Sequence, residues 1–206
     1  SSLTLITGGP GTGKTTTVVR LLALLTAQAR AQTGTLRIRL AAPTGKAASR
    51  LGESIQSAIG QLPHDLRIEP PAAPETLHRL LQFTPDAPLR EVPELACDVV
   101  VVDEASMIDL EMMARLLAAV PQTARLILLG DKDQLASVEA GAVMSQLCTG
   151  SLLKAQTVTL IHSHRFDAKS GIGQWARTVN ADAADNTPAL KALWNAAPDW
   201  LATLPL

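Results

Sequence analysis

A glycine-rich segment near the start of the chain has the residue types and spacing of a phosphate-binding loop. Residues 8–15 read GGPGTGKT and satisfy the pattern G-x-x-x-x-G-K-[ST]. Glycines let backbone N–H groups curl around a phosphate, Lys14 can reach β and γ phosphates, and the Thr15 hydroxyl can bind Mg²⁺. A glycine-rich turn with a solvated lysine is the alternative. We predict a triphosphate site formed by Gly8, Gly9, Pro10, Gly11, Thr12, Gly13, Lys14, Thr15 and Thr16.

Two adjacent acids could turn such a binding site into a hydrolytic one. Asp103 and Glu104 directly follow four consecutive valines, at the carboxyl end of a predicted buried strand. Asp103 could bind Mg²⁺, and Glu104 could orient and deprotonate a water for attack on the γ-phosphate. The alternative interpretation is a helix-capping acidic pair. Together with the phosphate loop, the acids indicate nucleotide hydrolysis.

A further polar group follows another apolar run. Residues 129–134 read LGDKDQ, so Gln134 would lie at the same ligand-binding edge of a parallel sheet. A neutral glutamine can contact a γ-phosphate or the attacking water. Taken alone, the segment is also typical of an ordinary Gly-Asp turn.

The elements that must position these residues alternate between strand and helix. Hydrophobic periodicity predicts strands at 3–7, 35–41, 98–103, 125–129 and 158–161. It predicts helices at 14–31, 46–59, 76–81, 110–120 (capped by Asp109) and 140–147. This order favours an α/β fold of the P-loop NTPase, RecA-like type. We expect a parallel sheet with helices on both faces, a three-layer α/β/α arrangement.

Composition excludes several classes of protein. The net charge is −1, so nucleic acid would have to be bound by local contacts rather than by an overall basic surface. Cys97 and Cys148 lack the spacing of a metal knuckle or disulfide framework, and we expect both to be buried thiols. Aromatic residues make up only 2%, which leaves few stacking platforms for a single strand. No membrane span or signal peptide is predicted, so we expect a soluble intracellular protein.

Six segments, taken in order, resemble the motifs of superfamily 1 helicases, and specifically the RecD family, the α subunits of exodeoxyribonuclease V. The resemblance covers about residues 3–180, and SHRF followed by SGIGQ at 170–174 resembles the complex-forming rather than the stand-alone type. The joint order is more specific than any single motif. The segments are GGPGTGKTT at 8–16, APTGKAASRL at 42–51, TLHRLL at 76–81, VVVDEASMIDL at 100–110, GDKDQLASVEAGAV at 130–143 and SHRF at 163–166.

The resemblance implies roles for individual residues. Lys14, Glu104, Gln134 and Arg165 would be catalytic, with Gln134 coupling nucleotide state to DNA and Arg165 reaching the γ-phosphate. Thr15 and Asp103 would hold Mg²⁺. Residues implied to face DNA are Pro43, Thr44, Lys46 and His78.

Three of these local patterns have other interpretations. Thr44 could also cap a helix before Ala47. His78, beside leucines, is equally typical of a core histidine. His162 and His164 have bridge-like spacing but lack a third ligand, so no metal site is predicted there.

Membership of this family implies an ATP- and Mg²⁺-dependent helicase that moves 5′ to 3′ on single-stranded DNA during double-strand break repair and recombination. Residues 1–150 would form the first RecA-like motor domain, and 151–206 the start of an incomplete second one. The expected partners are RecB-like and RecC-like subunits in the bacterial cytoplasm. Because motifs that complete the second domain are missing, we expect a fragment of a longer polypeptide. The alternatives are a stand-alone RecD-like helicase, a P-loop kinase and a non-hydrolysing DNA-binding module.

Overall fold

The fold is a sheet of parallel strands flanked by helices. The computed structural model describes residues 2–32, 34–84, 88–132, 134, 143–161 and 188. The chain divides into two units, Ser1–Ile161 and His162–Leu206, and every element given below lies in the first. No helix in the described part of the chain combines the length and apolarity needed to cross a membrane.

Within the described part of the chain, six strands form one sheet in the order β3-β2-β4-β5-β1-β6. Each pair of neighbours runs parallel. The carboxyl ends of all the strands therefore lie along one edge, which is where open α/β sheets bind ligands. The strands are β1 (Leu3–Thr7), β2 (Ile38–Ala42), β3 (Glu75–Thr76), β4 (Val99–Val102), β5 (Arg125–Gly130) and β6 (Thr157–Thr159).

Helices cover both faces of this sheet. The α-helices bounded within residues 2–161 are α1 (Lys14–Ala31), α2 (Gly45–Gly60), α3 (Leu77–Leu80), α4 (Leu110–Ala119) and α5 (Val143–Thr149). Single 3₁₀ segments lie at His64–Leu66, Leu89–Glu91, Ala105–Met107 and Ser151–Gln156.

The central strand β4 shows why both faces must be covered. Its four valines are all buried, and successive side chains of a strand point to opposite faces. Val99 and Val101 pack in the cluster that contains α1 and α2 residues. Val100 and Val102 pack in the cluster that contains residues of α3, α4 and α5. The predicted three-layer α/β/α fold is therefore confirmed.

The structure corrects the predicted elements in a few places. Residues 76–81, predicted as a helix, begin with Thr76 in the two-residue strand β3, which pairs with Ala41 and Ala42 of β2. Only the four-residue helix α3 follows, and the Thr76 hydroxyl caps it by accepting from Arg79 N at 3.3 Å. Strand β2 starts at Ile38 rather than at residue 35. Cys97 is buried as predicted, whereas Cys148 is only half-buried.

Other predicted boundaries agree with the structure to within two residues, where they fall on described residues. Helix α1 has the predicted bounds. Asp109 caps α4 as predicted, because its Oδ1 accepts from Met112 N at 2.7 Å. Strand β6 ends at Thr159 rather than at residue 161. The described part of the helix predicted at 140–147 forms α5 from Val143 to Thr149.

Two leucines of α1 allow a matched test of this packing. Leu22 is fully buried, whereas Leu24 is 59% exposed. We expect Leu22→Ala to lower the free energy of unfolding by about 2–5 kcal/mol, because it leaves a cavity beneath the sheet. Leu24→Ala should change it by less than about 0.5 kcal/mol. Urea unfolding measures both, and equal losses would contradict the packing described here.

Candidate functional site

The glycine-rich segment forms a curled loop between β1 and α1. Gly11 and Gly13 have φ values of 75° and 84°, in the left-handed region that favours glycine. Lys14 Nζ donates to the carbonyl oxygens of Gly8 and Gly9 at 2.6 and 3.2 Å. The buried Thr12 hydroxyl also donates to Gly9 O, at 2.8 Å. The lysine ammonium therefore lies against the loop backbone at the amino end of α1, where an anion is favoured.

Gly8 fixes this loop against the sheet. Its N–H donates to Gly130 O at the end of β5, at 3.2 Å. A Cβ atom at Gly8 would lie 2.6 Å from Leu160 O and 2.7 Å from Thr12 Oγ1. Since real Cβ atoms do not approach other heavy atoms so closely, only glycine fits here without a backbone shift.

The two predicted acids lie at the carboxyl end of β4. Asp103 N donates to Ala41 O of β2 at 2.9 Å, which extends the parallel pairing by one residue. Asp103 Oδ1 accepts from Glu104 N at 2.9 Å. Glu104 has a φ of 53°, which is uncommon for a residue other than glycine and turns the chain into the Ala105–Met107 segment. This backbone strain lies at the residue predicted to activate water, in keeping with the clustering of strain at active sites.

Charged groups from α1, α2 and the segment after β4 interact at this edge. Burial raises the pKa of Asp103, and the nearby Lys14 ammonium partly offsets that rise. Burial and the charge of Asp103 raise the pKa of Glu104, while Lys14 and Arg50 lower it. A raised pKa makes Glu104 a stronger base than an exposed glutamate. The arrangement therefore suits proton transfer from a water molecule.

The loop after β5 joins the other two loops through side-chain hydrogen bonds. The fully buried Thr7, at the end of β1, accepts from Lys132 N through its Oγ1 at 3.0 Å. Ser106 Oγ, two residues beyond Glu104, donates to Gln134 Oε1 at 2.9 Å. Gln134 therefore contacts the segment that follows the two acids, at the edge where β5 ends.

The residues present fit a magnesium ion. Thr15 and Asp103 offer the hard oxygen ligands that Mg²⁺ prefers, next to a loop suited to phosphate. Within the described ranges, no group of three or more His, Cys, Asp or Glu residues gathers into a metal site. An ion bound here would take its remaining ligands from phosphate and water, as Mg²⁺ does in nucleotide sites.

The residues predicted to face DNA follow β2 and β3, and they therefore lie at the same edge of the sheet. Pro43 is half-buried, and Thr44 and Lys46 are exposed at the start of α2. Thr44 also caps this helix, since its Oγ1 accepts from Ala47 N at 3.2 Å. His78 is exposed rather than part of the core, and its ring packs edge-on against Phe83 at a centroid distance of 5.0 Å.

Arg165, His162 and His164 lie outside the described residues.

Sequence reasoning did not identify three residues of this site. Ser106 contacts Gln134, Thr7 ties the end of β1 to the loop after β5, and Arg50 acts on the charge of Glu104. A signal was available for two of them, because Ser106 lies in the acidic motif and Thr7 is the polar end of an apolar strand. Arg50 lies in the APTGKAASRL segment, about one and a half helical turns from the start of α2, but no local pattern relates it to Glu104.

Comparison with protein families and curated relatives gives consistent matches. The profile described as "AAA domain" matches residues 1–140. The RecBCD enzyme subunit RecD of Mycolicibacterium smegmatis is 53% identical over 191 residues, which cover 88% of this chain and 34% of that protein. The same subunit of Haemophilus influenzae is 42% identical over 223 residues, covering 91% of this chain and 34% of that protein. The chain thus spans about a third of the length of these curated relatives.

Solved structures show the same fold. Bacteroides sp. Pif1 in complex with ADP-AlF4 has a TM-score of 0.56 at 19% identity, covering 99% of this chain and 47% of that chain. Bacteroides Pif1 bound to single-stranded DNA has a TM-score of 0.53 at 18% identity, covering 93% of this chain and 46% of that chain. At these identities the likeness concerns the fold alone.

Adjacent glycines of the loop allow the site geometry to be tested without nucleotide. We expect Gly8→Ala to lower the free energy of unfolding by about 1–3 kcal/mol, because the new methyl group overlaps Leu160 O and Thr12 Oγ1. Gly9→Ala is the control, since a Cβ there would meet nothing within 4 Å. Denaturant unfolding of the nucleotide-free protein measures both changes. A Gly8→Ala protein as stable as Gly9→Ala would show that the loop is not packed against Leu160.

Proposed function

The chain belongs to the AAA domain family and is a homologue of the RecD subunits of RecBCD enzymes, and on that premise we propose that it is the ATP-hydrolysing motor domain of a DNA helicase. One observation carries the proposal. The phosphate loop, the two acids and Gln134 leave the same edge of a parallel sheet and are joined there by hydrogen bonds. That geometry suits hydrolysis of a bound triphosphate better than binding alone.

In the proposed reaction, Lys14 exchanges the carbonyl oxygens of Gly8 and Gly9 for the β and γ phosphates of ATP. Glu104 orients a water molecule and accepts its proton as the water oxygen attacks the γ-phosphorus. The bond from that phosphorus to the bridging oxygen breaks, leaving ADP and inorganic phosphate. Magnesium, held by Thr15 and Asp103, would neutralise charge on the phosphates. Gln134 contacts the γ-phosphate or the attacking water.

We propose that the neighbouring part of the edge binds single-stranded DNA. Thr44 and Lys46 follow β2, and His78 follows β3, whose strand is the next one outward in the sheet. Exposed hydroxyl, ammonium and imidazole groups can contact phosphates and bases without requiring an overall basic surface. The solved Pif1 structure with single-stranded DNA, which shares this fold, supports the proposal.

The remaining predictions concern the longer protein and stay proposals. Of residues 151–206, predicted to begin a second motor domain, those up to Ile161 lie in the first unit, whose sheet includes β6. The proposal therefore concerns the residues from 162 onward, from which Arg165 would reach the γ-phosphate of ATP bound at Lys14. The whole protein would move 5′ to 3′ in complex with RecB-like and RecC-like subunits, in recombinational repair in the bacterial cytoplasm. The names of the curated relatives, as subunits of RecBCD enzymes, support the choice of partners.

Removing the proposed base tests the hydrolysis step. In the full-length protein with single-stranded DNA, we expect Glu104→Gln to lower kcat for ATP hydrolysis by about 10²- to 10⁴-fold, because the amide cannot accept the proton of water. Nucleotide affinity should persist, since the phosphate loop is unchanged. Glu94→Gln, which alters an exposed acid before β4, is the control and should hydrolyse ATP normally. An undiminished rate in Glu104→Gln would refute the assigned role.

A second variant tests the DNA-binding edge. We expect Lys46→Ala to weaken binding of an oligonucleotide and to reduce the slope of log affinity against log salt by about 0.7, because one phosphate contact is lost. Affinity for nucleotide without DNA should not change. Lys154→Ala removes another exposed lysine, in the 3₁₀ segment before β6, and should leave the slope unaltered. If Lys46→Ala behaved like this control, Lys46 would not contact DNA.

A further inference from the structure

Ser106 makes a contact for which the reaction described above has no role. The residue is 8% exposed and lies in the Ala105–Met107 segment that follows the two acids. Its hydroxyl donates to Gln134 Oε1 at 2.9 Å, across 28 residues of sequence. Most side-chain hydrogen bonds are made to backbone or water. A hydrogen bond from a buried hydroxyl to a side chain of another loop is therefore an uncommon contact.

Two backbone features bring this hydroxyl within reach of Gln134. The left-handed conformation of Glu104 turns the chain sharply after β4. Gly130, at the end of β5, then lets the turn approach closely, since a Cβ at that position would lie 3.1 Å from Ser106 N and 3.6 Å from Ala105 N. The contact therefore follows from the packing of the loops after β4 and β5, rather than from a flexible surface serine.

We propose that Ser106 is a positioning residue that orients the amide of Gln134 toward the γ-phosphate, an inference that rests on the proposed function. A glutamine amide has an accepting oxygen and a donating NH₂ group, while phosphate oxygens only accept. By occupying the oxygen, the Ser106 hydroxyl leaves the NH₂ group as the end that faces the nucleotide. Without that hydroxyl, the exposed side chain of Gln134 can turn either its oxygen or its NH₂ group toward the nucleotide. Its rotamer freedom is then lost only when ATP binds.

The same contact links Glu104, the proposed base, to Gln134, the residue proposed to contact the γ-phosphate. Ser106 lies two residues beyond Glu104, within one tight turn. A shift of this turn when Glu104 engages water would therefore be transmitted to Gln134. The pairing gives the loop after β5 a direct connection to the hydrolytic step.

A double-mutant cycle in the full-length protein tests this role. The variants are Ser106→Ala, Gln134→Ala and the double substitution, with Ser57→Ala, an exposed serine of α2, as control. At saturating single-stranded DNA and Mg²⁺, we expect Ser106→Ala to lower kcat for ATP hydrolysis by about five- to tenfold, as for one lost hydrogen bond. The double variant should match Gln134→Ala within about twofold, because Ser106 acts only through Gln134.

Affinity for ADP separates positioning from a general structural role. Since ADP lacks the γ-phosphate, its dissociation constant, measured with a fluorescent ADP analogue, should stay within about twofold of wild type in Ser106→Ala. The inference is overturned if Ser106→Ala keeps wild-type kcat, if it weakens ADP binding in parallel with kcat, or if it lowers kcat further in the Gln134→Ala background. The absence of DNA-stimulated hydrolysis in the wild-type protein would instead overturn the proposed function.

Discussion

Parallel pairing of the strands is the constraint on which the site depends. In a parallel sheet every strand ends at the same edge, so the loops after β1, β4 and β5 meet although they are far apart in sequence. Hydrogen bonds continue the pairing beyond the strands, from Gly8 N to Gly130 O and from Asp103 N to Ala41 O. An antiparallel β4 would carry Asp103 and Glu104 to the opposite edge, away from Lys14.

Rigid packing beneath this edge holds charged groups in an unfavourable environment. The four valines of β4 are buried between two helical layers, and the two carboxylates that follow are half-buried. Burial raises the pKa of both Asp103 and Glu104, and Lys14 offsets part of that effect. The strained φ of Glu104 adds to the energetic penalty. These features suit the phosphate and the divalent cation that the proposed function requires.

The parts of this arrangement that are encoded locally could be predicted from the sequence. The apolar run before Gly8, the helical spacing after Lys14 and the four valines before Asp103 each specify their own element. The order of the strands depends on long-range pairing and has no local signature. Strand β3 has only two residues, too few for any periodicity, and its pairing with β2 alone makes it a strand. The contact of Ser106 with Gln134 depends on the close approach allowed by Gly130, which a one-dimensional pattern does not reveal.

We propose that this edge couples the state of the bound nucleotide to the affinity for single-stranded DNA. The most direct test is to measure the dissociation constant of the complex between the full-length protein and a single-stranded DNA oligonucleotide. It is measured once at saturating ADP and once at saturating ADP with aluminium fluoride. These ligands differ only in the group that occupies the γ-phosphate position. We expect the two constants to differ by at least about fivefold, as for coupled sites. Equal constants would contradict the proposal, because DNA would then bind independently of the nucleotide.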